Sequence, residues 1–136
     1  MECVFCKIAR NELEHWKVYE DDKTIAFLDK YPLTKGHTLV ATKKHYETLL
    51  NAPDEDLKAL IVTIKKVADA VCKTMKCDGF NIGQNNGPVA GQIVFHLHFH
   101  IVPRFKNDGL FKRAPEKEFE EKEMETVAAK IKKNLS

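Results

Sequence analysis

The sequence predicts an α+β fold, an antiparallel sheet of about five strands carrying two main helices. Three patterns point there. Short β-rich segments follow one another through connections too short for crossover helices. One segment of about 20 residues (57–75) carries an apolar stripe at helical spacing. In Val94-Phe-His-Leu-His-Phe-His-Ile-Val102, histidines alternate with bulky apolar residues.

The elements follow in order. Lys17–Glu20 and Thr24–Leu28 read as strands joined by a turn at Asp21-Asp22-Lys23. Pro32 and Gly36 mark a loop, and His37–Thr42 is β-rich again. Pro53-Asp54-Glu55-Asp56 has a helix start's proline and acidic first turn. The helix it opens stripes Leu57, Leu60, Ile61, Ile64, Val67, Ala68, Val71, Cys72 and Met75 along one face. Phe80–Gln84 reads as a strand that runs into the polar loop Asn85–Gly91, and the histidine strand follows until Pro103 ends it. A last helix over about 116–135 stripes Met124, Val127, Ala128, Ile131 and Leu135. Its Glu/Lys mix reads as a solvated face. No linker or repeat divides the 136 residues, so a single domain over 1–136 is expected, with its core in about 3–104.

Composition narrows the function. A chain 43% hydrophobic and 31% charged can build one ordinary core. A net charge of +2 gives no ground for nucleic acid or an anionic membrane as partner. No run is long and apolar enough to span a bilayer, and the N-terminus does not read as a secretory signal, so a cytoplasmic protein is expected. In that compartment the four cysteines, Cys3, Cys6, Cys72 and Cys77, are expected as thiols or metal ligands rather than disulfides. Cys3-x-x-Cys6 can close on one metal ion. A redox pair would want a βαβ context that nothing around Cys3 supplies. Cys72 lies on the helix stripe and reads as core; nothing favours Cys77 as a ligand. His15 reads as surface.

On a strand, His96, His98 and His100 share one face and Phe95, Leu97, Phe99 and Ile101 the other. Neighbouring histidines on that face stand roughly 6.6 Å apart and the outer two roughly 13 Å. Two could converge on one metal, but three on a regular strand do so poorly. The row therefore reads as divided between roles.

His96-Leu-His-Phe-His-Ile-Val102 resembles the signature of the histidine-triad (HIT) nucleotide hydrolases and transferases. Lys17–Asp22, Ala26–Asp29, Lys35–Val40, Lys44-His45 and Gly91–Phe95 resemble the zinc-binding type of the hint branch in order and spacing, over about 3–104. The resemblance implies a HIT-like fold and a homodimer. It implies that His98 attacks the α-phosphorus of a nucleotide, giving a covalent nucleotidyl-imidazole that water hydrolyses. His100 and His37 would hold the tautomer and orientation of that site. Asn85 and Gln92 would lie beside the phosphate and leaving group, with backbone N–H groups of the Gly91-Gln92 turn on a phosphate oxygen. Asp29 would accept from the ribose hydroxyls. Phe5, Ile8 and Phe27 are candidates for the apolar slot around the base, or plain core.

The resemblance also completes a structural zinc site, Cys3, Cys6, His45 and His96, pinning an N-terminus that would otherwise fray. Two positions depart from the pattern. Ile93 stands where close relatives carry a serine or threonine hydroxyl able to touch phosphate, and Glu14 where many carry proline. The activity implied is hydrolysis of purine nucleoside phosphoramidates or similar adenylated small molecules, of AMP type. A dinucleoside polyphosphate hydrolase or phosphorylase is the alternative. A zinc-stabilised nucleotide-binding module without catalysis is the third reading. A uridylyltransferase would carry proline at Leu97.

Overall fold

Side chains that alternate between two apolar layers define the sheet. A computed structural model describes residues 3–13, 15–110 and 114–135. Its five strands are β1 (Lys17–Glu20), β2 (Thr24–Leu28), β3 (Thr38–Thr42), β4 (Gly79–Gly83) and β5 (His98–Arg104), antiparallel in the order β1-β2-β3-β5-β4. Ala26 of β2, Val40 of β3 and Ile101 of β5 point to one face. There they pack against Leu60, Ile64, Val67 and Ala68 of the long helix α2 (Asp54–Met75). Ile25, Phe27, Leu39 and Ala41 point to the other face, against Phe5 and Ile8 of a six-residue helix α1 (Val4–Ala9).

The expected architecture holds, with corrections to individual elements. Helix α1 is absent from the sequence reading, because six residues are too few for a helical period to declare itself. The histidine strand begins at His98 and runs through Pro103 to Arg104, so His96 precedes it. Proline is tolerated because the pairing of β5 with β3 ends at Ile101, and beyond it only β4 lies alongside. Phe95 consequently sits outside both core clusters and is 42% exposed, whereas Leu97, Phe99 and Ile101 reach the α2 layer as expected.

The C-terminal helix α3 (Glu121–Leu135) starts later than expected. Its stripe of Met124, Val127, Ile131 and Leu135 is exposed rather than packed on the sheet. On α2 the stripe also splits. Ile61 is exposed beside Val62, and with Phe80 and Ile82 of the edge strand β4 it borders an apolar surface groove. Among the described residues no helix is long and apolar enough to cross a membrane.

Candidate functional site

β3 and β5 pair so that Leu39 faces His100 and Ala41 faces His98, all on the α1 side of the sheet. Phe5 seals this side. Its ring meets Phe27 edge-on at 5.1 Å and His98 at 4.9 Å. A cleft of about 720 Å³ opens here, lined by His98, His100, His37, Asp29, Asn85 and Gln92, and backed by Phe5, Ile8 and Phe27. Its volume suits a small-molecule site. Each of those three apolar residues is buried, so each is both core and cleft wall. His15, read from sequence as surface, also lines the cleft, its ring 5.2 Å from Phe27. Glu14 lies outside the described residues.

Hydrogen-bond partners fix the protons on the histidines. The backbone N–H of Leu33 donates to His37 Nδ1 at 3.0 Å, so that nitrogen is bare and the proton sits on Nε2. His37 Nε2 then donates to His100 Nδ1 at 2.9 Å, which leaves the His100 proton on its own Nε2. His98 donates from Nδ1 to the His96 carbonyl at 2.6 Å, and its Nε2 keeps a free lone pair. Burial pushes His37, His98 and His100 below the ordinary histidine range, His100 to about 4 with help from the rings of His98 and His37. All three rings are therefore neutral at pH 7. Asp29 opposes that shift: one carboxylate oxygen lies 3.4 Å from His37 Nε2 and 4.0 Å from His100 Nδ1. Its other oxygen accepts the Tyr31 N–H at 2.9 Å.

The Gly-rich loop is built differently from the expectation. Gln92 is buried and its amide is spent on the loop. Its oxygen accepts from Gly87 N–H at 2.8 Å, and its nitrogen donates to the carbonyls of Glu47 (2.7 Å) and Val94 (3.2 Å). It holds the loop and offers no free donor to a leaving group. The Gly91 and Gln92 backbone N–H groups are likewise engaged, with Pro88 and Gly87 carbonyls at 3.0 Å each, so neither is free for a phosphate oxygen. The next two residues, Ile93 and Val94, line the cleft, and their N–H groups have no partner among the described residues. Gly91 adopts φ +97°, and a Cβ there would stand 3.3 Å from the Asn85 amide nitrogen. Glycine thus lets Asn85 lie against the turn, its Nδ2 donating to the Gly91 carbonyl at 3.4 Å.

Beneath the cleft, Cys3, Cys6, His45 and His96 bring one ligand atom each to within 4.8 Å of one another. Cys3 Sγ, Cys6 Sγ and His45 Nδ1 stand 3.3, 3.5 and 3.3 Å from His96 Nδ1, and Cys6 Sγ stands 3.4 Å from His45 Nδ1. Bonds of about 2.0–2.1 Å to nitrogen and about 2.3 Å to sulfur at tetrahedral angles put ligand atoms roughly 3.3–3.8 Å apart, so the four fit one tetrahedral ion. His96 Nε2–H donates to the Thr42 carbonyl at 2.6 Å, and burial keeps the ring neutral. The Nδ1 lone pair is thereby turned toward Cys3, Cys6 and His45, where it could ligate an ion as carbonyl-oriented metal histidines do. A second group, Asp29, His37 and His100, also gathers three ligand atoms, but the proton on His37 Nε2 stands where an ion would bind.

The HIT domain family model matches residues 10–107. The chain belongs to the HIT family. Within it the similarity runs to the hint branch. An uncharacterised HIT-like protein of Borreliella burgdorferi is 44% identical over 98% of this chain and 99% of its own length. Adenylylsulfatase HINT3 of Arabidopsis thaliana is 43% identical over 81% of this chain and 56% of its own. Adenosine 5'-monophosphoramidase HNT1 of Candida albicans is 38% identical over 75% and 70%. A HIT protein crystal structure from Bacillus subtilis superposes with a TM-score of 0.93 at 36% identity, covering 100% and 99% of the two chains. A zinc-bound histidine triad protein from Mycobacterium smegmatis superposes at 0.77 with 35% identity, covering 98% of each.

In this HIT chain the residues singled out from sequence do converge, on two centres that share the His96–His98 segment. What the sequence missed is mostly main chain: the Leu33 N–H and the carbonyls of Thr42 and His96 that set the tautomers. Such partners leave no side-chain signal. His15 could have been found only by placing it beside Phe27.

Proposed function

We propose that the chain is a nucleotidyl hydrolase that cleaves purine nucleoside phosphoramidates or similar adenylated small molecules through a covalent intermediate on His98. One observation carries this reading. His98 is a neutral imidazole whose Nδ1–H is held by a carbonyl at 2.6 Å, so Nε2 is fixed as the nucleophilic atom in a cleft of nucleotide size. The His98 Nε2–phosphorus bond forms as the bond from phosphorus to the leaving group breaks. The leaving amine takes its proton from solvent, and the Nε2–H of His100, backed by His37, is the donor arranged to hydrogen-bond it as it departs. Water then attacks phosphorus, releases AMP and restores His98. The ribose hydroxyls fall to Asp29, the base to the slot of Phe5, Ile8 and Phe27, and the phosphate to Asn85 with the free N–H groups of Ile93 and Val94. Backbone donors do not depend on the hydroxyl that Ile93 lacks. The adenylylsulfatase and phosphoramidase activities that HINT3 and HNT1 are named for support an adenylated substrate.

Zinc suits Cys3, Cys6, His45 and His96, and its part is to hold the N-terminal segment. In the cytoplasm, where we place the protein, those thiols stay reduced. The exposed Ile61, Val62, Phe80 and Ile82 support a homodimer formed through α2 and the edge strand β4. A sedimentation measurement that gives a monomer at working concentration overturns it.

The catalytic test is an acid- and base-quenched reaction with adenosine 5'-phosphoramidate. Intact mass should rise by one adenylyl group in the wild type, and His98→Ala should lose both the adduct and turnover. Turnover that survives His98→Ala refutes the mechanism. A preference for diadenosine polyphosphate over the phosphoramidate refutes the substrate class and leaves the nucleophile standing.

A further inference from the structure

The last turn of α2 holds a thiol pair that neither the cleft nor the metal centre uses. The helix ends at Met75, and Lys76 turns the chain in the left-handed region at φ 53°. The Cys77 N–H then donates to the Cys72 carbonyl at 3.3 Å. This six-to-one bond is the closing bond of a Schellman motif, whose geometry brings the side chains at its two ends into contact, usually as an apolar pair. Here both ends are cysteine. Their sulfurs stand 2.6 Å apart, both residues are half-buried, and the backbone bond holds them in that position.

We propose that Cys72 and Cys77 form a reversible intramolecular disulfide when the protein meets a hydroperoxide. The two thiols are not equivalent. Burial and the neighbouring Cys77 push the Cys72 thiol up to about 11, which disfavours Cys72 as the first nucleophile and leaves that part to Cys77. The Cys77 thiolate attacks one peroxide oxygen. A sulfur–oxygen bond forms, the oxygen–oxygen bond breaks, and the departing hydroxide takes the thiol's proton as water. Cys72 sulfur then attacks the sulfenic sulfur, the sulfur–oxygen bond breaks, and the Cys72 proton leaves with the hydroxyl as a second water. Two thiols have given two electrons to one peroxide, and a cellular dithiol reverses the change by exchange. The bond would fix the corner between α2 and β4, which starts two residues on at Gly79. It makes no use of the nucleotide reading and stands or falls separately.

Peptide mapping of the zinc-loaded full chain tests it. Trypsin cuts after Lys73 and Lys76, between the two cysteines. After treatment with a small molar excess of hydrogen peroxide and alkylation, the fragment 67–73 should be found joined to 77–104. The joined species should be two hydrogens lighter than the sum of its parts and be lost on reduction. Full alkylation of Cys72 and Cys77 under peroxide that already oxidises Cys3 and Cys6 overturns the proposal, as does linkage of either cysteine to any other. In Cys72→Ser a dione probe should trap sulfenic acid on Cys77. In Cys77→Ser, Cys72 should stay alkylatable; the reverse pattern overturns the order of attack.

Discussion

Removing the metal should release α1 from an otherwise folded protein. Helix α1 has six residues, no side-chain cap and no acidic group in its first turn. A helix so short does not persist alone in water. Ordering residues 3–10 costs about 1–2 kcal/mol for each, roughly 12 in all at the middle of that range. Burying Phe5 and Ile8, 6% and 1% exposed, returns about 1.5–3 kcal/mol each, roughly 5 together. The shortfall of roughly 7 kcal/mol is within what a structural zinc site supplies, about 10–16 kcal/mol. α2 and the sheet have their own core and no ligand among the four. The assay is amide hydrogen exchange with and without a chelator. Without metal, Lys7 and Arg10, whose N–H groups donate to the Cys3 and Cys6 carbonyls, should lose protection while α2 keeps it. AMP should bind more weakly, since Phe5 and Ile8 leave the cleft wall. Unchanged protection at Lys7 and Arg10, or loss throughout α2, would refute the reasoning.

Phe27→Ala, at a site with 0% exposure shared by core and cleft, should cost about 3–5 kcal/mol in chemical denaturation and also raise KM. Gly91→Ala should lower Tm through about 1–3 kcal/mol of backbone strain and slow turnover by pressing on Asn85. Stability should fall with acid. His37 and His100 bind protons more weakly folded than unfolded, so the unfolded chain gains protons first as pH drops below about 6.5. The loss continues to about 4, where folded His100 titrates, and His100→Gln should flatten Tm against pH over that window. His37→Phe removes the donor to His100 Nδ1 and should lower kcat more than it raises KM, read by steady-state kinetics with the phosphoramidate.

The sheet is legible because β2 and β3, buried on both faces, are short β-rich runs bounded by turn residues, and β5 alternates histidine with apolar residues. The α2 stripe is legible by its helical period, though its Ile61 edge cannot be told from core, since periodicity records a face and not what covers it. The C-terminal helix shows that limit fully: its stripe was seen, but α3 leaves it exposed. The proposed metal ligands and the proposed nucleophile are legible only because the family resemblance carries them. The roles of Gln92 and of the Gly91-Gln92 backbone were misread, because a side chain's chemistry does not say whether its hydrogen bonds are already taken within its own loop.

The two centres are joined through one residue, and the join has a direction. His96 gives its ring to both ends of a short chain: Nε2–H to the Thr42 carbonyl, Nδ1 toward Cys3, Cys6 and His45. Its own carbonyl accepts the His98 Nδ1 proton and so leaves the lone pair on Nε2, the atom proposed to attack phosphorus. Anything that rotates the His96 peptide therefore frees His98 to take the other tautomer, with its bare nitrogen turned away from phosphorus. His96 precedes β5, so the ladder does not fix that peptide; the Leu97 N–H, which donates to the Tyr46 carbonyl at 2.6 Å, and the ring's partners do. Loss of metal should accordingly lower kcat as well as affinity, and His45→Ala, outside the cleft and in contact with Cys6 and His96, should reproduce the kcat loss in part. If His45→Ala loses its metal yet keeps the wild-type kcat at saturating substrate, the Thr42 and Tyr46 carbonyls suffice to position His96, and the metal serves only α1.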